Sequence, residues 1–489
     1  MAENDDIRVR IAPSPTGYLH LGTMRTALVN YVFAKKEGGK FIVRMEDTDT
    51  SRSLPIYEED ILAGLKMVGI DWDEGPDVGG DFAPYRQSER GEIYKEYIEK
   101  LVDNKQAYWC FCSKEDLDEE RKAMLASGIF PKYSGKCRSL SEDEIKQNIK
   151  DGNNGIIRLA VPSGLNIEFS DIIRGKISTS SDTIDDFVIA KDLQSPLYNL
   201  AVVIDDYLMK ISHVIRGEDH IPNTPRQILI QRAFGFEEIK YAHLPLVLAP
   251  DRSKMSKRKM ETSFVEYLKE GYLPQALLNF LILLGWHPED DKEIMDIDEI
   301  ISKFSLRRVQ KGGAIFNVEK LDWFNSQYIK NIPLNELFKK IKDFIPKEWL
   351  EDKEKLKRAL AVERDRLVKL SDFKELAQFF FERGELDVEL LKWQGMSFNN
   401  VVTNLNNVKS EIEKVKEKDF TKLILEEKLM SLADALGRGE MLWPLRVALS
   451  GKKNSPGPFE IMEVLGEKES LKRIDEAITK ASLISKNEE

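Results

Sequence analysis

The stretch that most limits what this chain can fold into is RIAPSPTGYLHLGTMRTA, from Arg10 to Ala27. Before it, Ile7 to Ile11 alternates arginines with branched apolar residues, a short strand signal. Two prolines and two glycines then rule out a regular element until a helical pattern begins. Thr23 is the expected cap of that helix, and Leu28, Tyr31 and Val32 share one of its faces. Lys35 and Lys36 fit its last turn, and Gly38-Gly39 stops it. FIVRM (Phe41 to Met45) is the next expected strand and ends at EDTD. This strand–loop–helix–strand order is how a doubly wound parallel sheet begins.

A second run of this kind comes much later. NLAVVIDD (Asn199 to Asp206), ISHVI (Ile211 to Ile215) and HLPLVLA (His243 to Ala249) are apolar and β-branched and read as strands. Between the last two, Thr224 as N-cap, Pro225 at the first helical position and Gly235 as stop bracket a helix. The intervening 105–190 is rich in charge, glycine and short strand-like pieces, as an insertion splitting the sheet. With 489 residues the chain needs several cores. The expected fold is therefore a multidomain α/β protein with a Rossmann-like doubly wound parallel sheet and an α/β insertion. The sheet takes residues 1–104 and 191–252, and a helical region follows over 253–330. An all-α region over 331–489 carries the turn cluster GKKNSPGP (Gly451 to Pro458). NVKSEIEKVKEKD (Asn407 to Asp419) reads as a solvated helix face.

The longest apolar run, ALLNFLILLGW (Ala276 to Trp286), is too short to span a bilayer and reads as a buried helix. The opening MAENDD lacks the plan of a signal peptide, so a cytoplasmic location and no membrane partner are expected. A net charge of −11 argues against a generally basic nucleic-acid coat but leaves room for a local basic surface.

Two stretches carry chemistry. In PSPTGYLHLG a turn opening a helix offers free N–H groups to an anion. Gly17 and Gly22 admit a ligand close to the backbone, and His20 adds a donor for a phosphate. Taken alone, the stretch is equally well a tight turn with one surface histidine. SKMSKRK (Ser253 to Lys259) puts four cations with small polar residues in a loop after a strand. That suits a polyphosphate, although a short basic run is also an ordinary solvated loop.

Together these stretches resemble the two signatures of class I aminoacyl-tRNA synthetases, HLGT (His20 to Thr23) and KMSKR (Lys254 to Arg258). Thr23 departs from the second histidine of the general motif, as the glutamyl branch commonly does. RIAPSPTG, RMEDTD, WDEGP, PYRQSER, VIRGEDHIPNTPRQ and PLRVALSG extend the resemblance to glutamyl-tRNA synthetases of bacterial type over essentially the whole chain. The resemblance implies ATP, L-glutamate and tRNA(Glu) as partners, Mg²⁺ with the ATP, and a monomer. It implies activation of glutamate to glutamyl-adenylate and transfer to the terminal adenosine of tRNA.

It also implies roles for single residues. Arg10 and Arg216, at predicted strand ends, would clamp carboxylates. Glu46 would take the ammonium, Tyr198 would offer its hydroxyl, and Ala12 with Ser14 would complete the wall. His20, Lys254 and Lys257 would neutralise phosphates, with Gly17, Gly22, Glu218 and Val247 around the nucleotide. The 105–190 insertion would bind the acceptor end and 253–330 the stem. Over 331–489, Arg366, Arg446 and Ser455 match positions near the anticodon contacts. A form that also charges tRNA(Gln) and a non-catalytic tRNA-binding paralogue are the alternatives.

Cys110, Cys112 and Cys137 have a spacing that suits a structural Zn²⁺, with three buried thiols as the lesser alternative. Many bacterial relatives have a histidine two residues after the last cysteine, where this chain has Ser139. A related synthetase-like family uses a tyrosine four residues before it, which makes Tyr133 the expected fourth ligand.

Overall fold

The structure, a computed structural model, describes residues 7–49, 51–128, 131–253 and 263–488. It divides into two compact units, Met1–Leu268 with Pro274–Val318, and Lys269–Leu273 with Glu319–Glu489.

In the first unit, β1 (Arg8–Ile11) pairs in parallel with β2 (Lys40–Val43). The crossover helix between them, Leu21–Glu37, ends at Gly38 with φ 68°, a left-handed position that suits glycine. Its cap is His20 and not Thr23: the imidazole Nδ1 accepts the Thr23 N–H at 3.2 Å, so the helix starts three residues earlier than expected. β1 runs alongside β8 (His213–Gly217), with the Ser212 N–H donating to the Arg8 carbonyl. β8 pairs in parallel with β9 (Lys240–Leu244).

The insertion is less separate than its composition suggests. β3 (Ala107–Cys110), β4 (Ile156–Leu159) and β7 (Val188–Ala190) form their own antiparallel sheet. The hairpin of β5 (Asn166–Asp171) and β6 (Gly175–Ser180) instead extends the sheet of β8 and β9, because Asp171 pairs in parallel with Tyr241 of β9. A last pair, β10 (Val247–Leu248) with β11 (Ala314–Ile315), is also parallel.

Asn199 to Asp206 is not a strand. It lies in the helix Tyr198–Leu208, whose residues Leu200 to Asp206 are all buried. A run buried on every side has no periodicity, so branched residues alone could not tell helix from strand. The helix Thr224–Phe234 has Asn223 in the cap position, one residue before the expected Thr224, and ends at Gly235. The run from Ala276 is a buried helix, Pro274–Leu283, and its Asn279 Oδ1 accepts the Met295 N–H at 3.0 Å.

The second unit is helical, with no strand among its described residues. The charged stretch from Asn407 is only partly a helix face: the helix Phe398–Ile412 ends inside it, and Val408, Ile412 and Val415 are buried. The helix Arg438–Ser450 stops at Gly451 (φ 68°), and the next begins at Pro458, as the turn cluster predicts.

Candidate active site and its neighbours

The ends of the parallel strands β1 and β2 carry a buried group of charges. Arg10 on β1 donates Nε–H and Nη2–H to the two oxygens of Asp206 at 3.0 and 3.2 Å. Arg44, just past β2, donates to Asp206 at 2.8 Å and to Glu46 at 3.2 Å. All four side chains are buried. Burial pushes Glu46 above the usual carboxylate range, while Arg44 and Arg10 oppose the rise. Asp206 stays below that range, because the two arginines outweigh its burial. Beside them, the Asp205 carboxylate accepts from Arg90 at 2.7 Å, Gln87 at 2.8 Å and the Tyr94 hydroxyl at 2.9 Å. Each pair is hydrogen-bonded, which buried charges require.

Tyr198 opens the helix that carries Asp205 and Asp206, and its hydroxyl meets His220 Nδ1 at 3.0 Å. Its hydroxyl pKa is raised by burial and by Glu46, and opposed by Arg216 and Arg10. His220 is lowered to about 4 by burial and by Arg216. The charges of Glu46, Arg216 and Arg10 all act on the Tyr198 hydroxyl, so these four side chains lie near one another.

Arg216, on β8, differs from the other arginines. It is 6% exposed, yet all its partners are neutral: His243 Nε2 at 3.2 Å, Thr224 Oγ1 at 2.9 Å and Gln227 Oε1 at 2.8 Å. Its buried Nη1 has no hydrogen-bond partner among the described residues. Gln227 is oriented by its own amide N–H, which donates to Asn199 at 3.1 Å. A buried guanidinium without a counter-charge costs several kcal/mol unless an anion arrives, which marks a ligand position.

The loop after β1 lies between these charges and the helix cap. Ile11 and Pro13 carbonyls accept the Arg44 and Glu46 N–H groups, so the Ala12–Ser14 loop is tied to the residues past β2. Ala12 is half-buried and Ser14 exposed. A Cβ at Gly17 would meet open space, whereas one at Gly22 would come within 3.2 Å of the His20 ring. His20 also holds Thr23 Oγ1 through Nε2 at 2.9 Å, so its ring lies over the helix N-terminus.

Glu218, past β8, accepts the Leu246 N–H at 2.7 Å and pairs with Arg174 at 2.6 Å, which brings it beside Val247. Lys254 and Lys257 lie outside the described residues.

The cysteines do converge. Their three Sγ atoms lie within 4.8 Å of one another. The Tyr133 hydroxyl sits 3.3 Å from Cys110 Sγ and 3.5 Å from Cys112 Sγ. Arg158 stacks over the Tyr133 ring at 4.2 Å. The Cys110 thiol is lowered: burial resists, but hydrogen bonds from Tyr133 and the Cys112 backbone and the Arg158 charge prevail. The Cys112 thiol is raised to about 11 by burial. One ion bringing positive charge would suit such a crowd of sulfurs, so the donor set fits zinc.

In the second unit, Arg446 donates to Ser455 Oγ at 3.1 Å and to the Lys453 carbonyl at 2.8 Å. Its guanidinium is lowered by burial and by the Arg366 charge, so Arg366, Arg446 and Ser455 lie near one another. Arg366 is held by Glu363 at 2.6 Å. Glu363 is wholly buried and raised to about 7 by that burial.

The sequence singles out Arg10, Arg216 and Arg366 but not the side chains that hold them in place, Asp206, His243 with Asp171, and Glu363. The pair Asp205-Asp206 closing an apolar run was a usable signal, since ionised carboxylates are buried only with partners. The others had none at short range.

Residues 6–323 match the family described as tRNA synthetases class I (E and Q), catalytic domain, and residues 336–478 match an anticodon binding domain. A glutamate–tRNA ligase 2 of Caldicellulosiruptor saccharolyticus is 44% identical, covering 97% of this chain and 99% of the relative. A glutamate–tRNA ligase of Carboxydothermus hydrogenoformans is 43% identical over 96% of this chain and 99% of its own. Among solved structures, a glutamate tRNA ligase of Elizabethkingia meningosepticum in complex with its amino acid superposes with TM-score 0.87. It is 36% identical and the match covers 97% of this chain and 99% of that one. The site, the two-unit plan and these likenesses agree: the chain belongs to the class I aminoacyl-tRNA synthetases, in the glutamate–tRNA ligase family.

Proposed function

We infer that the chain activates L-glutamate with ATP and transfers it to the 3′-terminal adenosine of tRNA(Glu), acting in the cytoplasm. The observation that carries the reading is Arg216, a buried cation whose hydrogen-bond partners are all neutral and whose Nη1 has none among the described residues. A carboxylate of glutamate supplies the missing charge. The second carboxylate falls to Arg10, and the ammonium to Glu46 with the Tyr198 hydroxyl beside it. Ala12 and Ser14 form the wall. Glutamine would leave a guanidinium facing an amide, at a cost of roughly 2 kcal/mol or more, enough to favour glutamate.

Activation joins the glutamate α-carboxylate to the α-phosphorus of ATP, taken as its Mg²⁺ complex, and releases pyrophosphate. No protein nucleophile is required; the work is positioning and charge neutralisation. His20, Gly17 and Gly22 take the phosphates at the helix N-terminus, and Lys254 and Lys257 add positive charge to neutralise them. Glu218 and Val247 lie by the adenosine. Residues 105–190 bind the acceptor end, 253–330 the stem, and 331–489 the anticodon through Arg366, Arg446 and Ser455. Cys110, Cys112, Cys137 and Tyr133 would hold zinc, whose part is to tie the insertion's chain segments together.

Pyrophosphate exchange with and without tRNA tests the reading. Exchange is expected with glutamate and not with glutamine. Exchange driven by glutamine would overturn it, and charging of purified tRNA(Gln) would show the broader specificity instead.

A further inference from the structure

Arg216 is held by a chain of two side chains that no ligand needs to touch. His243 is wholly buried on β9, and its Nδ1 lies 2.7 Å from Asp171 Oδ2. The same oxygen accepts the His243 backbone N–H at 3.0 Å. Asp171 Oδ1 takes the N–H groups of Ile173 and Arg174 at 2.9 and 2.7 Å, so the carboxylate is fixed at both ends. Hydrogen bonds of this kind outweigh its burial and hold Asp171 ionised.

An ionised carboxylate only accepts. Nδ1 of His243 must therefore carry the proton, and Nε2 keeps a lone pair. That lone pair faces the Nε–H of Arg216 at 3.2 Å. The opposite tautomer would set one donor against another. Burial also keeps the imidazole neutral. Arg216 thus gains an acceptor of fixed direction and no counter-charge. Were a carboxylate to hold it directly, its charge would be answered before the substrate arrived.

We propose that Asp171 and His243 are positioning residues for Arg216: the pair sets the orientation of its guanidinium toward a glutamate carboxylate while leaving its charge available. The proposal rests on the reading of Arg216 as a substrate-binding residue. Asp171 belongs to β5, in the insertion, and joins the catalytic sheet at β9. The insertion therefore takes part in amino-acid recognition and not only in tRNA binding.

The test is steady-state charging by the full-length protein, with KM measured separately for glutamate and ATP. Asp171→Asn presents an amide N–H to Nδ1 or loses one of its acceptor contacts. His243→Leu removes the acceptor, and His243→Gln restores an amide oxygen near the Nε2 position. Losing a hydrogen bond to a charged group should raise KM for glutamate roughly tenfold in Asp171→Asn and His243→Leu, with KM for ATP within about twofold. His243→Gln should recover most of the loss. Arg216→Gln is the control for the underlying reading. If it leaves KM for glutamate unchanged, Arg216 does not bind the amino acid. If it raises that KM while the folded Asp171→Asn and His243→Leu proteins do not, the positioning pair is wrong. Equal rises in both KM values, with no recovery in His243→Gln, also overturn it, since a general loss of structure acts on both substrates. Should Asp171→Asn fail to fold, the two His243 variants decide the outcome.

Discussion

Asp206 meets Arg10 with both of its oxygens across 196 positions of sequence, and turns one of them to Arg44 as well. One carboxylate therefore answers two buried guanidiniums. Asp206→Asn would leave those cations with Glu46 as their nearest remaining counter-charge in this group. Removing one partner of a buried ion pair costs about 3–5 kcal/mol. Urea unfolding should show a loss of this order, and the surviving folded enzyme should have a raised KM for glutamate.

His20 does two things that one substitution can separate. It caps the helix Leu21–Glu37 and is the residue proposed to meet the phosphates. Asn is among the best caps, so His20→Asn should keep the melting temperature while lowering kcat by roughly 10²–10³. His20→Ala should lose the rate and about 1 kcal/mol of stability together. A normal rate in His20→Asn would mean the imidazole serves the helix alone.

Zinc content gives a direct reading of the cysteine cluster. One zinc per chain is expected after purification without chelator, and Cys137→Ser should lose it. Tyr133→Phe keeps three thiolates and should bind with reduced affinity, visible as faster loss of metal to a competing chelator. Absence of zinc from the intact protein would leave the three residues as packed thiols.

Glu363 links pH to the second unit. Its pKa is raised from 4.5 to about 7, so the folded state binds a proton the unfolded chain releases. The stability it contributes is fully present below pH 4.5 and is lost as pH rises through about 7. The difference in unfolding free energy between the protein and Glu363→Gln should therefore shift by on the order of 2–3 kcal/mol between pH 4.5 and 8. A constant difference over that range would contradict the raised pKa. Because Glu363 holds Arg366, the KM for tRNA should also rise in the variant.

Much of this was legible in the chain, for local reasons. The opening strand, loop and helix announce themselves through Pro13, Pro15, Gly17 and the Gly38 stop, all of which act within a few residues. Cys110, Cys112 and Cys137 were grouped by spacing, and they meet in space. What failed depended on distant partners. Val202, Val203 and Ile204 favour a strand by composition, yet packing on every side makes them helix. Asp171 sits at a strand end in a segment rich in charge, and nothing nearby reveals that His243 waits 72 residues on. The helix cap shifted from Thr23 to His20 because an imidazole nitrogen can do a hydroxyl's work.

The single backbone pairing of Asp171 with Tyr241 has a consequence for transplantation. Residues 105–190 look like a cassette, entered and left at nearby points, and an engineer would cut there. Such a cut removes the flank of the catalytic sheet along with the appendage, and exposes the edge of β9. A graft that keeps the β5–β6 hairpin with its host, and exchanges only the β3–β4–β7 body with its cysteines, respects the true seam.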